Sequence, residues 1–199
     1  MKLAFSPNSP YVRKVMACAI IRGLDGRIEK WTIPASDAAL SPHNPLNKVP
    51  TLITDDGMAL FDSPVICEYL DSLGDAPKLF PPAGPARWTA LRQQAQADGI
   101  LDATQPRRRE IALPQDEGRI EYIKIQRKKV DLSISAFEAE APKLGMLTTI
   151  GEVTIGCALG YLDFRYANEP WRPAAPKLAA WYEKVAALPA LARTAPPPA

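Results

Sequence analysis

Residues 2–33 read KLAFSPNSPYVRKVMACAIIRGLDGRIEKWTI, and this stretch determines how the N-terminal part of the chain folds. Lys2–Phe5 is a short apolar run that ends in a turn rich in serine and proline, which is typical of a strand followed by a turn. Apolar residues then recur at helical spacing up to Gly23, a residue type that often ends a helix. Ile28–Ile33 is short, β-rich and followed by a proline, so it predicts a second strand. A strand–helix–strand unit forces its two strands to be parallel, with a right-handed crossover.

The residues that follow predict a loop, a hairpin and a second helix. Residues 34–50 are rich in proline, serine and asparagine and form the loop. Thr51–Thr54 and Met58–Phe61 are two short strands joined by Asp-Asp-Gly, so they must be antiparallel. Ser63 then caps a helix whose first position is occupied by Pro64. The order βαβ then ββα predicts an α/β thioredoxin-like domain over residues 1–76, with a mixed sheet and helices on its faces.

The second part of the chain has a different character. Residues 77–86 contain four prolines and a glycine, and we expect a domain linker there. Residues 87–199 show only helical patterns and predict an all-α helical bundle. Gly156 and Gly160 lie on one face of its most apolar helix, where another helix can approach closely. The predicted helices are Arg87–Ala112, Gly118–Ala141, Glu152–Ala167 and Pro176–Leu188.

Charge, apolar runs and cysteines exclude several classes of protein. The formal net charge is +2, so there is no bulk electrostatic reason to expect nucleic acid or a membrane surface as a partner. No apolar run is long enough for a signal peptide or a membrane span, and we expect a cytoplasmic protein. Cys18, Cys67 and Cys157 are widely spaced and odd in number, which predicts buried, reduced thiols and no metal site.

Two segments beside the predicted first and third strands could bind a ligand. Ser9 lies between the first strand and the first helix, where a helix N-terminus favours anions, so its hydroxyl could stabilise a thiolate or simply cap the helix. In the segment Lys48-Val49-Pro50, a cis Val49–Pro50 bond would direct the Val49 backbone outward to pair with an extended peptide. An ordinary trans proline at a strand start is the alternative.

Other polar segments are open to two interpretations or to a structural one. Asp62 and Ser63 begin the second helix and could bind a carboxylate or serve as a plain cap. Thr149 and Glu152, three residues apart, form a capping box and are expected to be structural. The run Arg107-Arg108-Arg109 has two interpretations. It is either a solvated charged face, or one of the three arginines faces the interdomain cleft and favours an anionic second substrate.

Together and in this order, the segments resemble the cytosolic glutathione S-transferases, specifically bacterial members that open with S-x-x-S-P-[YF]-V-R-K-V. The resemblance extends over essentially the whole chain. The segments that carry it are SPNSPYVRKV (6–15), NKVPTL (47–52), DSPVICEYLD (62–71), ADGILDA (97–103), TTIGEVTIG (148–156) and WYEKVAALP (181–189).

The resemblance implies the glutathione S-transferase fold and a set of glutathione-binding residues. Ser9 resembles the residue that contacts the glutathione sulfur. The Val49 backbone would pair with the cysteinyl part, with Pro50 in cis, and Lys48 would neutralise the glycine carboxylate.

Three further residues follow from the same resemblance. Asp62 and Ser63 would hold the γ-glutamyl amine and carboxylate, although the family more commonly has glutamate where this chain has Asp62. Asp98 resembles an acidic residue that, in some classes, reaches the glutathione of the neighbouring subunit. Tyr11, beside Ser9, either lines the second-substrate pocket with Arg107 and Arg108 or packs under the sheet.

The implied function is a glutathione S-transferase in detoxification, acting on an electrophilic small molecule or a peroxide. Glutathione would be a co-substrate, with no tightly bound cofactor, and a homodimer is implied. Serine at position 9 cannot form a mixed disulfide with glutathione, so it points away from a thiol-disulfide reductase unless Cys18 is exposed. The alternative is a non-catalytic relative that binds ligands or proteins.

Overall fold

The computed structural model describes residues 1–32 and 38–197. Four strands within these residues form one mixed sheet in the order β2-β1-β3-β4. β1 pairs in parallel with β2 and antiparallel with β3, and β3 pairs antiparallel with β4. The predicted strand–helix–strand unit and the hairpin are both present; Ile33, the predicted end of the second strand, lies outside the described residues. The strands are β1 (Lys2–Phe5), β2 (Glu29–Thr32), β3 (Thr51–Ile53) and β4 (Ala59–Leu60).

Seven α-helices occur in the described residues. The first two belong to the sheet half, where α1 packs against α2 and α2 packs against β3. The others form the predicted helical half, in which α3 packs against both α4 and α5. The helices are α1 (Pro10–Ile21), α2 (Ser63–Ser72), α3 (Gly84–Ile111), α4 (Glu117–Glu140), α5 (Ile150–Arg165), α6 (Pro176–Ala186) and α7 (Pro189–Ala192).

The starts of α3 and α2 differ from the sequence-based expectation at their prolines. α3 begins at Gly84, within the segment expected to be a linker. The proline after Gly84 lies in the first turn, where its missing N–H is not needed, so it does not prevent a helix. α2 has Asp62 rather than Ser63 at its N-cap, and the Asp62 side chain makes no capping hydrogen bond. Pro64 is therefore the second helical residue, not the first.

α5 is the central helix of the helical half. Its residues from Ile150 to Leu162 are all buried. The predicted capping box is confirmed: Thr149 Oγ accepts from the Glu152 N–H at 3.4 Å, and the Glu152 carboxylate accepts from the Thr149 N–H at 3.3 Å. This arrangement satisfies backbone donors at the start of a helix that has no exposed first turn.

Glycines on α5 allow other elements to come close. A Cβ on Gly151 would lie 2.8 Å from the Ala90 carbonyl oxygen and 2.7 Å from the Gln93 Cβ, both on α3. A Cβ on Gly156 would lie 2.6 Å from a methyl group of Leu191, and one on Gly160 would overlap the Arg13 guanidinium. The close approach predicted from the two later glycines is confirmed.

A buried ion pair connects the two halves of the molecule. Lys14 on α1 is completely buried, and its Nζ lies 2.7 Å from both carboxylate oxygens of Asp98 on α3. α1 also packs against α5 and α7. The position of α1, and of the residues at its N-terminus, is therefore fixed from both sides.

The segment that follows α2 is held by polar contacts. Arg22 is buried and donates to the carbonyl oxygens of Leu73 at 2.7 Å and Pro77 at 2.6 Å. Asp71 accepts from the backbone N–H groups of Leu79 at 2.7 Å and Phe80 at 3.1 Å. Although rich in proline, this connection is anchored to the end of α2, because side chains replace the backbone hydrogen bonds that proline cannot make.

Candidate functional site

A cleft of about 680 Å³ lies between the sheet half and the helical half. This volume is within the range of roughly 300–1,000 Å³ that small-molecule sites occupy. Its walls come from four places in the chain: the turn before α1, the loop before β3, the C-terminal part of α3 and the end of α5. The site is therefore assembled from both halves.

Ser9 lies at the start of α1 and lines the cleft. It is the N-cap residue, and its Oγ accepts from the Val12 N–H at 3.3 Å. A hydroxyl has one proton to donate besides its acceptor lone pairs, so capping leaves the Ser9 proton free. The Tyr11 N–H, in the first turn, makes no hydrogen bond within the described part of the chain. The two interpretations of Ser9, cap and anion donor, are compatible because they use different parts of the same hydroxyl.

Val49 also lines the cleft and, like Ser9, belongs to the sheet half. The Val49–Pro50 bond is cis, as the ligand-binding interpretation requires. Neither the N–H nor the C=O of Val49 is used by a hydrogen bond among the described residues. The preceding carbonyl, of Lys48, is instead bound by Asn44 Nδ2 at 3.1 Å and Thr51 Oγ1 at 2.9 Å. These contacts hold the loop and leave the Val49 backbone available to a ligand.

The other residues predicted to bind glutathione divide into two groups. Lys48 is exposed and lines the cleft, where it forms no ion pair with any described residue. Asp62 and Ser63 are at the start of α2 and are not among the residues that line the cleft; Asp62 is exposed and Ser63 is buried. Asp98 is the partner of Lys14. The contacts with glutathione proposed for these four residues stay predictions.

Tyr11 lines the cleft, and its hydroxyl donates a hydrogen bond to the Asp102 carboxylate. Burial, and then the hydrogen bond to Asp102, raise the pKa of Tyr11 well above its usual value. The phenol therefore stays protonated and remains a donor at neutral pH. It contributes an aromatic wall to the cleft rather than a base.

Arg107, which was predicted to line the second-substrate pocket, is not among the residues that line the cleft. Arg107 is 6% exposed and its Nη2 lies 2.7 Å from the Glu169 carboxylate. Its guanidinium carbon is also 4.8 Å from the centre of the Tyr166 ring. The side chain is directed into the helical half because a carboxylate and an aromatic ring compensate its burial there. Arg108 does line the cleft.

Two residues of the helical wall, Tyr161 and Arg165, were not singled out by the sequence analysis, whereas Arg109 was considered there together with Arg107 and Arg108. Arg109, Tyr161 and Arg165 line the cleft with Arg108. Arg165 ends α5 and Tyr161 precedes it by four residues, so both lie on one face of that helix. The i, i+4 spacing was present in the sequence, but nothing local indicates that this face meets the cleft.

None of the three cysteine thiols lines the cleft. Cys18, Cys67 and Cys157 are free and buried. The Cys18 pKa is raised well above its usual value, first by a hydrogen bond with Cys67 and then by burial. A buried thiol with a raised pKa is a poor nucleophile, so Cys18 does not restore the reductase interpretation.

Membrane-spanning helices and clustered metal ligands are both absent from the described residues. No helix there is long and apolar enough to cross a membrane. No group of three or more His, Cys, Asp or Glu residues within 1–32 and 38–197 is arranged to hold a metal ion.

Comparisons with known proteins agree with this architecture. The family model "Glutathione S-transferase, N-terminal domain" matches residues 8–73, and "Glutathione S-transferase, C-terminal domain" matches residues 90–184. An uncharacterized GST-like protein of Escherichia coli (strain K12), YibF, is 34% identical over 204 residues, with 100% of both chains covered.

Solved structures of glutathione transferase family members have a fold similar to that of this chain. A glutathione transferase family member from Pseudomonas fluorescens Pf-5, with bound glutathione, is 40% identical with a TM-score of 0.91 over 98% of each chain. A structure of a family member from the same bacterium contains S-(propanoic acid)-glutathione, with a TM-score of 0.89, 40% identity, and coverage of 99% of this chain and 100% of that one. A glutathione S-transferase from Methylobacillus flagellatus KT with glutathione bound is 32% identical, with a TM-score of 0.90 over 98% of this chain and 99% of that one.

The fold, the cleft between its two halves and the matches along the whole chain lead to one conclusion: this chain belongs to the glutathione S-transferase family.

Proposed function

We propose that the chain is a glutathione S-transferase that holds glutathione in the cleft and directs its thiolate at an electrophilic carbon or a peroxide. The observation that carries the proposal is the start of α1, where the Ser9 hydroxyl has a proton to donate and the Tyr11 N–H has no partner among the described residues. Both donors are at the positive end of a helix dipole, which favours an anion. Relatives of 40% and 32% identity with bound glutathione support this choice of ligand.

Glutathione would lie along the sheet half. Its cysteinyl unit would pair with the free N–H and C=O of Val49 as an extended peptide pairs with a strand edge. Lys48 would neutralise the glycine carboxylate, and Asp62 and Ser63 would bind the γ-glutamyl group at the start of α2. This placement would bring the sulfur to Ser9.

The chemistry proposed for the protein is thiolate stabilisation and positioning. A donor to the thiolate lowers the thiol pKa towards neutrality, which increases the fraction of the nucleophilic form. Fixing the sulfur beside a second bound molecule then replaces a bimolecular encounter by an oriented one. Ser9 itself forms no covalent bond, because a serine hydroxyl does not exchange with thiols or disulfides.

Retention and turnover together test the proposal. The protein should be retained on immobilised glutathione and should catalyse conjugation of glutathione to a generic aryl halide. Ser9→Ala should lose turnover while keeping retention. Retention without turnover in the unaltered protein would favour the alternative, a non-catalytic binding protein of the same fold, and full activity in Ser9→Ala would show that Ser9 is not the thiolate donor.

Cytoplasmic location, a role in detoxification and assembly as a homodimer are proposed with the function. Large apolar side chains are exposed on three helices and are candidates for a subunit interface: Val65 on α2 is 46% exposed, Trp88 on α3 is 67% exposed and Leu132 on α4 is 61% exposed. Such groups favour burial against another subunit. The carboxylate of Asp98 is already paired with Lys14, so we propose a structural role for it first and a contact with the partner's glutathione second. Light scattering at several protein concentrations tests the dimer.

A further inference from the structure

Three arginines of the cleft lack the carboxylate partners that most arginines in this chain have. Arg108, Arg109 and Arg165 line the cleft, and none forms an ion pair with any described residue. Ion pairs are instead formed by Arg22, Arg27, Arg87, Arg92, Arg107, Arg119, Arg127, Arg172 and Arg193. Since the chain has nearly as many acidic as basic residues, these three uncompensated charges are a local feature of the cleft.

The three arginines share the helical wall of the cleft with Tyr161. Burial raises the pKa of the Tyr161 phenol, and the positive charges of Arg108, Arg165 and Arg109 oppose that shift. All three arginines and Tyr161 line the same cleft, so the three charges act on one volume. Arg165 also has a buried Nε with no hydrogen-bond partner in the described chain, while its guanidinium carbon lies 3.7 Å from the centre of the Phe164 ring.

The acidic residue that lines the cleft does not neutralise this group. Asp102 already accepts the hydrogen bond of the Tyr11 hydroxyl and forms no ion pair within the described ranges. The three arginines therefore produce a positive potential in a concave site, which concentrates anions there. Guanidinium groups bind planar carboxylates with two parallel hydrogen bonds, a geometry that a point charge cannot offer.

The position of the arginines separates them from the groups assigned to glutathione. Ser9, Lys48 and Val49 belong to the sheet half, whereas Arg108 and Arg109 are on α3 and Arg165 is on α5. Glutathione laid along the sheet would use Lys48 for its glycine carboxylate. The charges of the opposite wall then remain for whatever approaches the sulfur from the helical side.

We propose that the second substrate is an electrophile that carries a carboxylate, held by Arg108, Arg109 and Arg165, with Tyr11 and Tyr161 against its unsaturated or aromatic part. This inference rests on the proposed function. With an aryl halide acid, the thiolate sulfur forms a bond to the ring carbon, the carbon–halogen bond breaks and halide leaves with the electron pair. The carboxylate is unchanged and serves for recognition.

Two matched thioethers test the proposal without requiring turnover. S-(4-carboxybenzyl)glutathione and S-(4-carbamoylbenzyl)glutathione differ by a carboxylate and an amide of similar shape. We expect calorimetry to show about tenfold tighter binding of the carboxylate by the unaltered protein, since charge-assisted hydrogen bonds are roughly twice as strong as neutral ones. Arg108→Gln, Arg109→Gln and Arg165→Gln should each reduce that ratio. Arg92→Gln removes an arginine of α3 that lies outside the cleft and is paired with Glu140, so it should leave the ratio unchanged.

A kinetic pair gives the same comparison during catalysis. The ratio of kcat/KM for 4-chloro-3-nitrobenzoate to that for 4-chloro-3-nitrobenzamide should fall in the three cleft variants. Equal binding of the two thioethers would overturn the carboxylate proposal while leaving a glutathione site intact. So would a loss of affinity for glutathione itself with an unchanged ratio, because the arginines would then serve glutathione. If neither thioether nor glutathione binds, the proposed function fails as well.

Discussion

Replacing Ser9 with alanine removes two interactions that can be measured separately. The first is the cap of α1, in which Ser9 Oγ accepts from the Val12 N–H at 3.3 Å. That distance is slightly beyond the usual range for such a hydrogen bond. The free energy of unfolding should therefore fall by no more than the typical value for the loss of an N-cap, about 1 kcal/mol. Urea unfolding of the unliganded protein measures this part.

The second interaction is the hydrogen bond that Ser9 would donate to bound thiolate. Hydrogen bonds to charged groups contribute roughly 1.5–3 kcal/mol. One pKa unit corresponds to about 1.4 kcal/mol, so the pKa of bound glutathione should rise by roughly one to two units in Ser9→Ala. The α1 dipole and the Tyr11 N–H remain, which should keep that pKa below the value of free glutathione. Ultraviolet absorbance of the thiolate, followed through a pH titration of the complex, measures this part.

Two control variants separate the cap from the donor. Asp116 caps α4 by accepting from the Arg119 N–H at 2.8 Å and does not line the cleft. Asp116→Ala should therefore lower the free energy of unfolding without changing the pKa of bound glutathione. Ser9→Thr keeps a hydroxyl and should restore much of both effects. An unchanged thiolate pKa in Ser9→Ala would refute the reasoning and leave the thiolate to backbone donors.

Three further changes test the fold and its charges. Lys14→Met should lower the free energy of unfolding, measured by urea unfolding, by about 3–5 kcal/mol, because it leaves the Asp98 carboxylate without its partner. Asp98→Asn should cost much less in the Lys14→Met variant than in the unaltered protein, because the ion pair is already lost there. Gly151→Ala should destabilise by about 1–3 kcal/mol through overlap with the α3 backbone, whereas Gly99→Ala, a helix position with open space around it, should stabilise by about 0.4–1 kcal/mol in the same assay. Burial raises the pKa of Glu169, but its two arginine partners outweigh burial and lower it overall. Its stabilising effect is therefore present at neutral pH and lost as pH falls through the folded-state pKa, so unfolding curves of Glu169→Gln and the unaltered protein should converge in acid.

The fold could be predicted from sequence because its signals are local. The pairing of β1 with β2 follows from a short strand, a helix and a strand in succession, and the pairing of β3 with β4 follows from a tight turn. The start of α3 could not be predicted at Gly84, because prolines on both sides of it indicate a break in the chain. α7, Pro189–Ala192, is a single turn of helix, too short to show a period of its own. Both are defined by their contacts rather than by their composition.

The residues of the candidate site also differ in how far local sequence predicts them. Ser9 and Val49 could be found from sequence, since a serine before a proline-initiated helix and a valine before a strand-initiating proline each constrain their own backbone. The ion pair of Asp98 could not be predicted from its neighbours in the chain. The Asp98 carboxylate is bound by Lys14, 84 residues earlier in the chain, and no local pattern indicates a partner at that separation.

The three consecutive arginines show why the substrate side of the cleft needs the structure. Successive residues of an α-helix differ by about 100° around its axis, so Arg107, Arg108 and Arg109 cannot all face one direction. Any of the three could have pointed inward. Glu169 decides the matter, because its carboxylate lies 2.7 Å from the Arg107 guanidinium and draws that side chain into the helical half. With Arg107 buried, the next two arginines of the helix line the cleft, and the contact that accompanies this orientation joins residues 62 positions apart in the chain.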